Sequence, residues 1–273
     1  MSSIGLSAVA DSASLDHADL ERRFGGLRRL YGDVGYQRIR QARVAVVGLG
    51  GVGSWAVEAL ARSGVARLVL IDLDHVAESN INRQVQALDS TLGLAKAEAL
   101  RRRIADIHPA CEVLVVEEFA SPDNWPALLP AEVDVLIDAC DQSAAKLALA
   151  AWSLRCGTPL VCVGAAGGKQ LAQRVEVADL AEASHDPLLA ALRQRLRKQG
   201  APRQGPIGVL AVFSRESVAR PDGESCASDG SLNCQGYGSS VMVTATFGLV
   251  AAGEALRVCR TGAASMTAVS KQC

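Results

Sequence analysis

Asp72, Asp74, Asn80, Asn82, Arg83, Gln84 and Lys96 fall within 25 residues of one another. That mixture of carboxylates, amides and cations suits a polyphosphate. Arg83 offers a planar fork of donors and Lys96 a point charge, both matched to phosphate oxygens. Hydride transfer needs no such cluster of cations beyond the pyrophosphate of its dinucleotide. Holding a triphosphate and spreading the charge of an α-phosphate under attack does need one. Further on, the apolar run Val133 to Ile137 ends in Asp138-Ala139-Cys140-Asp141. A carboxylate at the end of a strand there, Asp141 above all, is a hard oxygen ligand for magnesium.

These side chains need elements to bring them together, and the glycines supply the first. Gly48-Leu49-Gly50-Gly51-Val52-Gly53 follows the strand-like run 43–47 and opens a helical pattern, 51–63, that stops at Gly64. Glycines between a strand and a helix N-terminus let backbone N–H groups approach an anion. Asp72 closes a second strand, 67–71, about twenty residues on, the usual place for a carboxylate on a ribose. Gly48, Gly50, Gly51, Gly53, Asp72, Asp74, Asn80, Asn82, Gln84 and Asp138 are therefore candidate nucleotide-binding residues, and Arg83, Lys96 and Asp141 candidate catalytic ones. Lys146 and Lys169 have the reach but belong to no motif.

Alternation continues along the chain. Strand-like runs at 111–116, 133–137, 159–163, 172–177 and 208–213 interleave with helical runs at 93–107, 142–155, 187–198 and 237–258. This pattern predicts an α/β fold, a Rossmann-like, doubly wound, mainly parallel sheet. Beyond Gly164 it loosens, which predicts a smaller mixed C-terminal extension. The expected organisation is a tail over 1–20, one domain over 21–258 and a short tail over 259–273. Within the domain, the nucleotide half covers about 40–164 and the substrate-side extension about 165–258.

Taken in order, Gly-Leu-Gly-Gly-Val-Gly, Asp72-x-Asp74, Asn80-x-Asn82-Arg83-Gln84, Gly93-x-x-Lys96 and Asp138-x-x-Asp141 resemble the ubiquitin-activating-enzyme-like adenylyltransferases, the ThiF and MoeB group. Arg23-Phe24-Gly25-Gly26, Gly164-Ala165-Ala166-Gly167-Gly168, Asp186-Pro187-Leu188, Val212-Phe213-Ser214 and Met242-Val243-Thr244-Ala245-Thr246-Phe247-Gly248 are closer to one branch, the tRNA threonylcarbamoyladenosine dehydratases. The resemblance covers roughly residues 20 to 258. It implies Gly51 near the α-phosphate of ATP, Asp72 on the ribose, Arg83 and Lys96 on the phosphates, and Asp141 serving magnesium. It also implies a homodimer. The branch implies adenylation of the threonyl carboxylate of N6-threonylcarbamoyladenosine at position 37 of tRNA. The ureido group of the same side chain would then close the ring and expel AMP.

Two departures from the wider group stand out. The N-terminal arginine that reaches a partner's ATP site is replaced by Gly26, leaving Arg28 or Arg29 as substitutes by a shifted path. No Cys-x-x-Cys pair exists, so a structural zinc of that type is not expected.

The second substrate has two candidate contacts. Arg193, Arg195, Arg197, Lys198 and Arg203 precede a Gly-Pro-rich loop, suited to RNA phosphates or simply to a solvated helix face. No aromatic interleaves with them, so base stacking has to come from elsewhere. The other is the Gly/Ser-rich stretch 221–240 with Cys226 and Cys234, candidate nucleophiles because the resemblance implies an acyl-accepting cysteine on a comparable loop; a sulfur-transfer partner is a separate candidate. Neither has a neighbouring histidine or cationic run to activate its thiol. Whether a monovalent cation sits near Gly164 to Gly168 or a turn at Thr244 to Phe247 is left open by the sequence.

Composition narrows the class without deciding it. With 28 Lys and Arg against 29 Asp and Glu, no global charge draws the chain to nucleic acid or anionic lipid. Eight scattered cysteines fit a reducing, cytoplasmic setting. The first twenty residues lack a basic n-region, and the apolar run 241–252 is too short to span a bilayer, so no membrane insertion is expected. Three rival readings remain at this level: activation of the C-terminal glycine of a ubiquitin-like sulfur carrier, a non-catalytic nucleotide- or tRNA-binding module, and a nicotinamide dehydrogenase.

Overall fold

Apolar runs such as Arg43–Val47 and Val135–Asp138 are buried on both faces, as strands inside a two-sided α/β sheet must be. The computed structural model describes residues 19–218 and 237–262. Seven strands form one sheet: β1 (Arg43–Val47), β2 (Arg67–Ile71), β3 (Glu112–Val116), β4 (Val135–Asp138), β5 (Leu160–Val163), β6 (Val175–Asp179) and β7 (Leu210–Ser214). Their order is β3-β2-β1-β4-β5-β7-β6. Every neighbouring pair is parallel except β6 with β7. The mixed character expected after Gly164 lies in that antiparallel pair, and both strands extend the main sheet.

Alternate residues of the strands face opposite layers. Val44 and Val46 join a core with α2 (Gly53–Arg62), α3 (Lys96–Ile107) and α6 (Val241–Thr261). Ala45 and Val47 join the other, with α4 (Ser143–Cys156) and α5 (Pro187–Lys198). After β1 the chain winds outward through β2 and β3, then returns to place β4 on the other side of β1. The crevice between the carboxyl ends of β1 and β4 is thus the topological switch point, where open α/β sheets bind ligands.

Helix α1 (Leu20–Gln41) was not expected from the sequence. Gly25, Gly26, Gly32 and Gly35 each cost helix propensity, and Gly32 bends the helix at φ 71°. Tertiary burial of Phe24, Tyr36 and Ile39 outweighs that cost, and the Asp19 carboxylate caps the start by accepting from the Arg22 N–H at 3.0 Å.

Helix α6 begins at Val241, capped by Ser240, rather than at 237. Among the described residues it is the one helix long and apolar enough to cross a membrane, yet half of its most apolar window is buried in the fold. Gly248 allows its close approach to α2: a Cβ there would lie 2.8 Å from Trp55 Cβ and 2.9 Å from the Ala56 nitrogen. Residues Thr244 to Phe247, expected as a turn, lie inside this helix. Their carbonyls sit in a helical ladder rather than open to a monovalent cation.

Candidate active site

The turn after β1 is built around Asp72. Its Oδ2 accepts the Leu49 N–H at 2.6 Å and its Oδ1 the Asp74 N–H at 2.8 Å. Burial raises the Asp72 pKa, while the Leu49 bond and the charge of Lys96 work the other way. Gly48 sits at φ 86°, and a Cβ on it would come within 2.8 Å of the Cys140 nitrogen, so the β1 and β4 turns touch backbone to backbone. Around Gly50 a Cβ would meet nothing within 4 Å, which leaves that backbone open to a ligand.

A cavity of about 590 Å³ opens over this turn. Gly48, Gly50, Gly51, Asp72, Asp74, Asn80, Arg83, Gln84, Lys96 and Asp141 all line it, so residues spread over 94 positions of sequence converge on one space. Its size is that of an ordinary small-molecule pocket. Lys96, at the first turn of α3, is 6% exposed and holds Asp74 Oδ2 at 2.6 Å. Asn80 Oδ1 accepts the Ala77 N–H at 3.0 Å, shaping the turn that presents Arg83. Arg83 donates to the Ser79 carbonyl at 2.8 Å and to Asn82 Oδ1 at 2.9 Å. Both acceptors are uncharged, so its guanidinium keeps its full charge for a ligand.

A second compartment, about 260 Å³, adjoins the first. It reaches Ala165, Gly167, Leu188, Tyr237 and Thr244. Gly50, Gly51, Arg83, Ala139, Cys140 and Asp141 line both spaces. An atom seated at Gly51 would therefore face Arg83 and Asp141 with one molecule on each side. That is the arrangement a group transfer between two substrates requires.

Several expected residues play other parts. Asp138 was a candidate nucleotide contact; it is fully buried and lines neither compartment. Its Oδ2 pairs with Lys146 Nζ at 3.0 Å, and its Oδ1 accepts from the Cys140 thiol at 2.9 Å and the Cys140 N–H at 3.2 Å. Strand β4 points it into the interior, since it pairs with Cys162 of β5. Burial works against the Lys146 ammonium, but the attraction of Asp138 outweighs it and holds the Lys146 pKa above the usual lysine value. Gly53 also lines neither compartment; it lets α2 start directly against the Gly48 carbonyl. Asn82 lies outside both and donates to the Ser239 carbonyl at 3.0 Å. Lys169 is spent on the carbonyls of Ser214 and Glu216, at 3.2 and 2.9 Å.

Gln86 is a site residue the sequence reading missed. Buried beneath the glycine turn, it donates from Nε2 to the Leu49 carbonyl and to Gln84 Oε1, both at 3.0 Å. Its position two residues after Gln84 is the only signal the sequence carries.

Cys226 and Cys234 lie outside the described residues. Of the two arginines that follow Gly26, Arg28 is engaged by Glu21 and Asp33 at 2.9 and 2.8 Å and covers the Tyr36 ring, whereas Arg29 is exposed. In the basic run, Arg193 braces its own helix, donating to the carbonyls of Leu180 at 3.1 Å and Ala183 at 2.6 Å.

Among the described residues no group of three His, Cys, Asp or Glu side chains could hold a metal ion unaided. A magnesium that arrives on nucleotide phosphates keeps most of its ligands from water and phosphate, so a single carboxylate in the cavity wall, such as Asp141, is enough to meet it.

Comparison with known proteins identifies the family. The ThiF family model matches residues 23–270. The chain is 44% identical over 248 residues to the tRNA threonylcarbamoyladenosine dehydratase of Escherichia coli, covering 86% of this chain and 92% of that one. It is 39% identical over 193 residues to the Bacillus subtilis protein of that name, covering 70% and 74%. The crystal structure of the E. coli enzyme in complex with ATP superposes with a TM-score of 0.81 at 42% identity, over 89% of this chain and 96% of that one.

Proposed function

Because this chain belongs to the ThiF family, we propose that its two-compartment cleft uses ATP to dehydrate N6-threonylcarbamoyladenosine in tRNA. The observation that carries the proposal is the shared wall: Gly51, Arg83 and Asp141 border the nucleotide space and the acceptor space together. ATP fits the larger cavity, with its ribose toward Asp72 and its phosphates toward Arg83 and Lys96. Asp141 would hold magnesium, which when bound neutralises charge on the departing pyrophosphate.

The threonyl carboxylate attacks the α-phosphorus from the smaller compartment. A new oxygen–phosphorus bond forms, the bond to the β,γ-unit breaks, and pyrophosphate leaves. Arg83 stabilises the charge that gathers on the α-phosphoryl oxygens. Lys96 exchanges Asp74 for a phosphate oxygen at little cost, since one charged partner replaces another. The ureido group then attacks the activated carbonyl, loses a proton, and AMP departs with the former carboxylate oxygen. Nucleophile and electrophile belong to one side chain, so their effective molarity is high and no enzyme nucleophile is needed.

A homodimer accompanies this reading. Leu30 and Val34, which flank the Gly32 bend of α1, are 69% and 68% exposed, apolar surface suited to a second subunit. A cytoplasmic location follows from the tRNA substrate. The experiment is to incubate the protein with ATP and tRNA bearing the modification. AMP should accumulate as the nucleoside loses the mass of one water; ADP, or an unchanged nucleoside, refutes the assignment.

A further inference from the structure

A third space, about 790 Å³ and open to solvent, runs along the outer face of α5. Arg197, Lys198 and Arg203 line it with Gln194, and no carboxylate does. Among the described residues none of the three cations has an ion-pair partner. By contrast Arg43, Arg67, Arg103 and Arg215 are each tied to a carboxylate. The Arg197 Nε is buried with no acceptor, a charged donor left unsatisfied by the protein itself.

The groove borders the acceptor compartment at one residue. Pro187, the first residue of α5, lines both this groove and the acceptor compartment, whose wall continues through Leu188. From Pro187 to Lys198 the helix runs for about 16 Å. The two compartments share the wall at Gly51, Arg83 and Asp141, and beyond Pro187 the groove carries unpaired positive charge. Arg193 and Arg195 do not contribute in the same way. Arg193 lines the groove but is anchored to carbonyls, and Arg195 is exposed but outside the lining.

We propose that the α5 groove carries the sugar–phosphate backbone next to the modified nucleotide, with Arg197, Lys198 and Arg203 on its phosphates. The inference rests on the tRNA reading of the same site. Single-stranded loops bind proteins through splayed bases and backbone contacts. Here the target nucleotide enters the acceptor compartment, where Tyr237 offers the flat face that the basic run lacks. The charge along α5 sets affinity and register, and the compartment selects the base.

The test uses full-length protein and tRNA bearing the modification. Lys198→Ala/Arg203→Ala removes two exposed cations without touching the core, and Arg195→Ala is the control outside the groove. The double variant should raise the tRNA KM about tenfold and lower the slope of log affinity against log salt by about 1.5. Its kcat at saturating tRNA and its ATP affinity should not move. An unchanged salt slope in the double variant overturns the groove assignment, as does an equal loss in the Arg195→Ala control. Wild-type protein that leaves the nucleoside mass unchanged would instead indict the tRNA reading.

Discussion

Replacing Lys146 by Met should strand a negative charge in the interior. Lys146 and Asp138 are both fully buried and 3.0 Å apart, and the remaining donors to Asp138 are weak or already shared: the Cys140 and Cys162 thiols and one N–H. Met keeps the length and bulk of the stem, so packing changes little and the cost is electrostatic. Removing one member of a buried pair typically costs about 3–5 kcal/mol, because the survivor has neither water nor partner. Lys146→Met should therefore lose about that much stability in urea unfolding at pH 7. Asp138→Asn in the same background removes the stranded charge, so the double variant should recover more than half of the loss. Such non-additivity is expected of residues in direct contact. The turn after β4 gives a second readout. Asp138 also fixes the Cys140 N–H, and Asp141 follows directly, so pyrophosphate exchange should need more magnesium in Lys146→Met. A single variant costing under 1 kcal/mol, or a double variant as unstable as the sum of its parts, would refute the argument.

Two further outcomes follow from the packing. Gly248→Ala drives a Cβ against Trp55 and the Ala56 backbone and should cost about 1–3 kcal/mol, visible as a lower thermal midpoint; an unchanged midpoint would mean α2 and α6 are not held at this separation. Burial of His108, helped by the charges of Arg40 and Arg23 beside it, holds its pKa down to about 4 from an ordinary 6.5. The folded state then resists a proton that the unfolded state accepts, so stability is whole above pH 6.5 and falls between 6.5 and 4. The full loss is roughly 3 kcal/mol by proton linkage. His108→Gln should flatten that part of the urea-stability profile, and a variant that keeps the wild-type slope would exclude His108 as its source.

What the sequence decided by itself is that most of the candidate nucleotide residues gather at the turns after β1 and β2. Glycines, carboxylates and cations at fixed spacing follow strands whose apolar runs are short, strong and local, so β1, β2 and the turns beyond them are readable without the fold. The exact limits 187–198 of α5 were readable too, because Asp186 and Pro187 are start signals and basic residues fill its last turn. Three things came only from the tertiary structure. Helix α1 exists because Phe24, Tyr36 and Ile39 find a core, which local glycine-rich sequence cannot announce. Asp138 and Asp141 carry the same side chain three residues apart, and only the direction in which β4 ends turns one inward to Lys146 and the other toward the cleft. That the two compartments share a wall, and that Pro187 borders both the smaller one and the α5 groove, depends on how β1, β4 and α5 pack. Shared walls are a property of packing between distant segments, and spacing along one chain does not encode them.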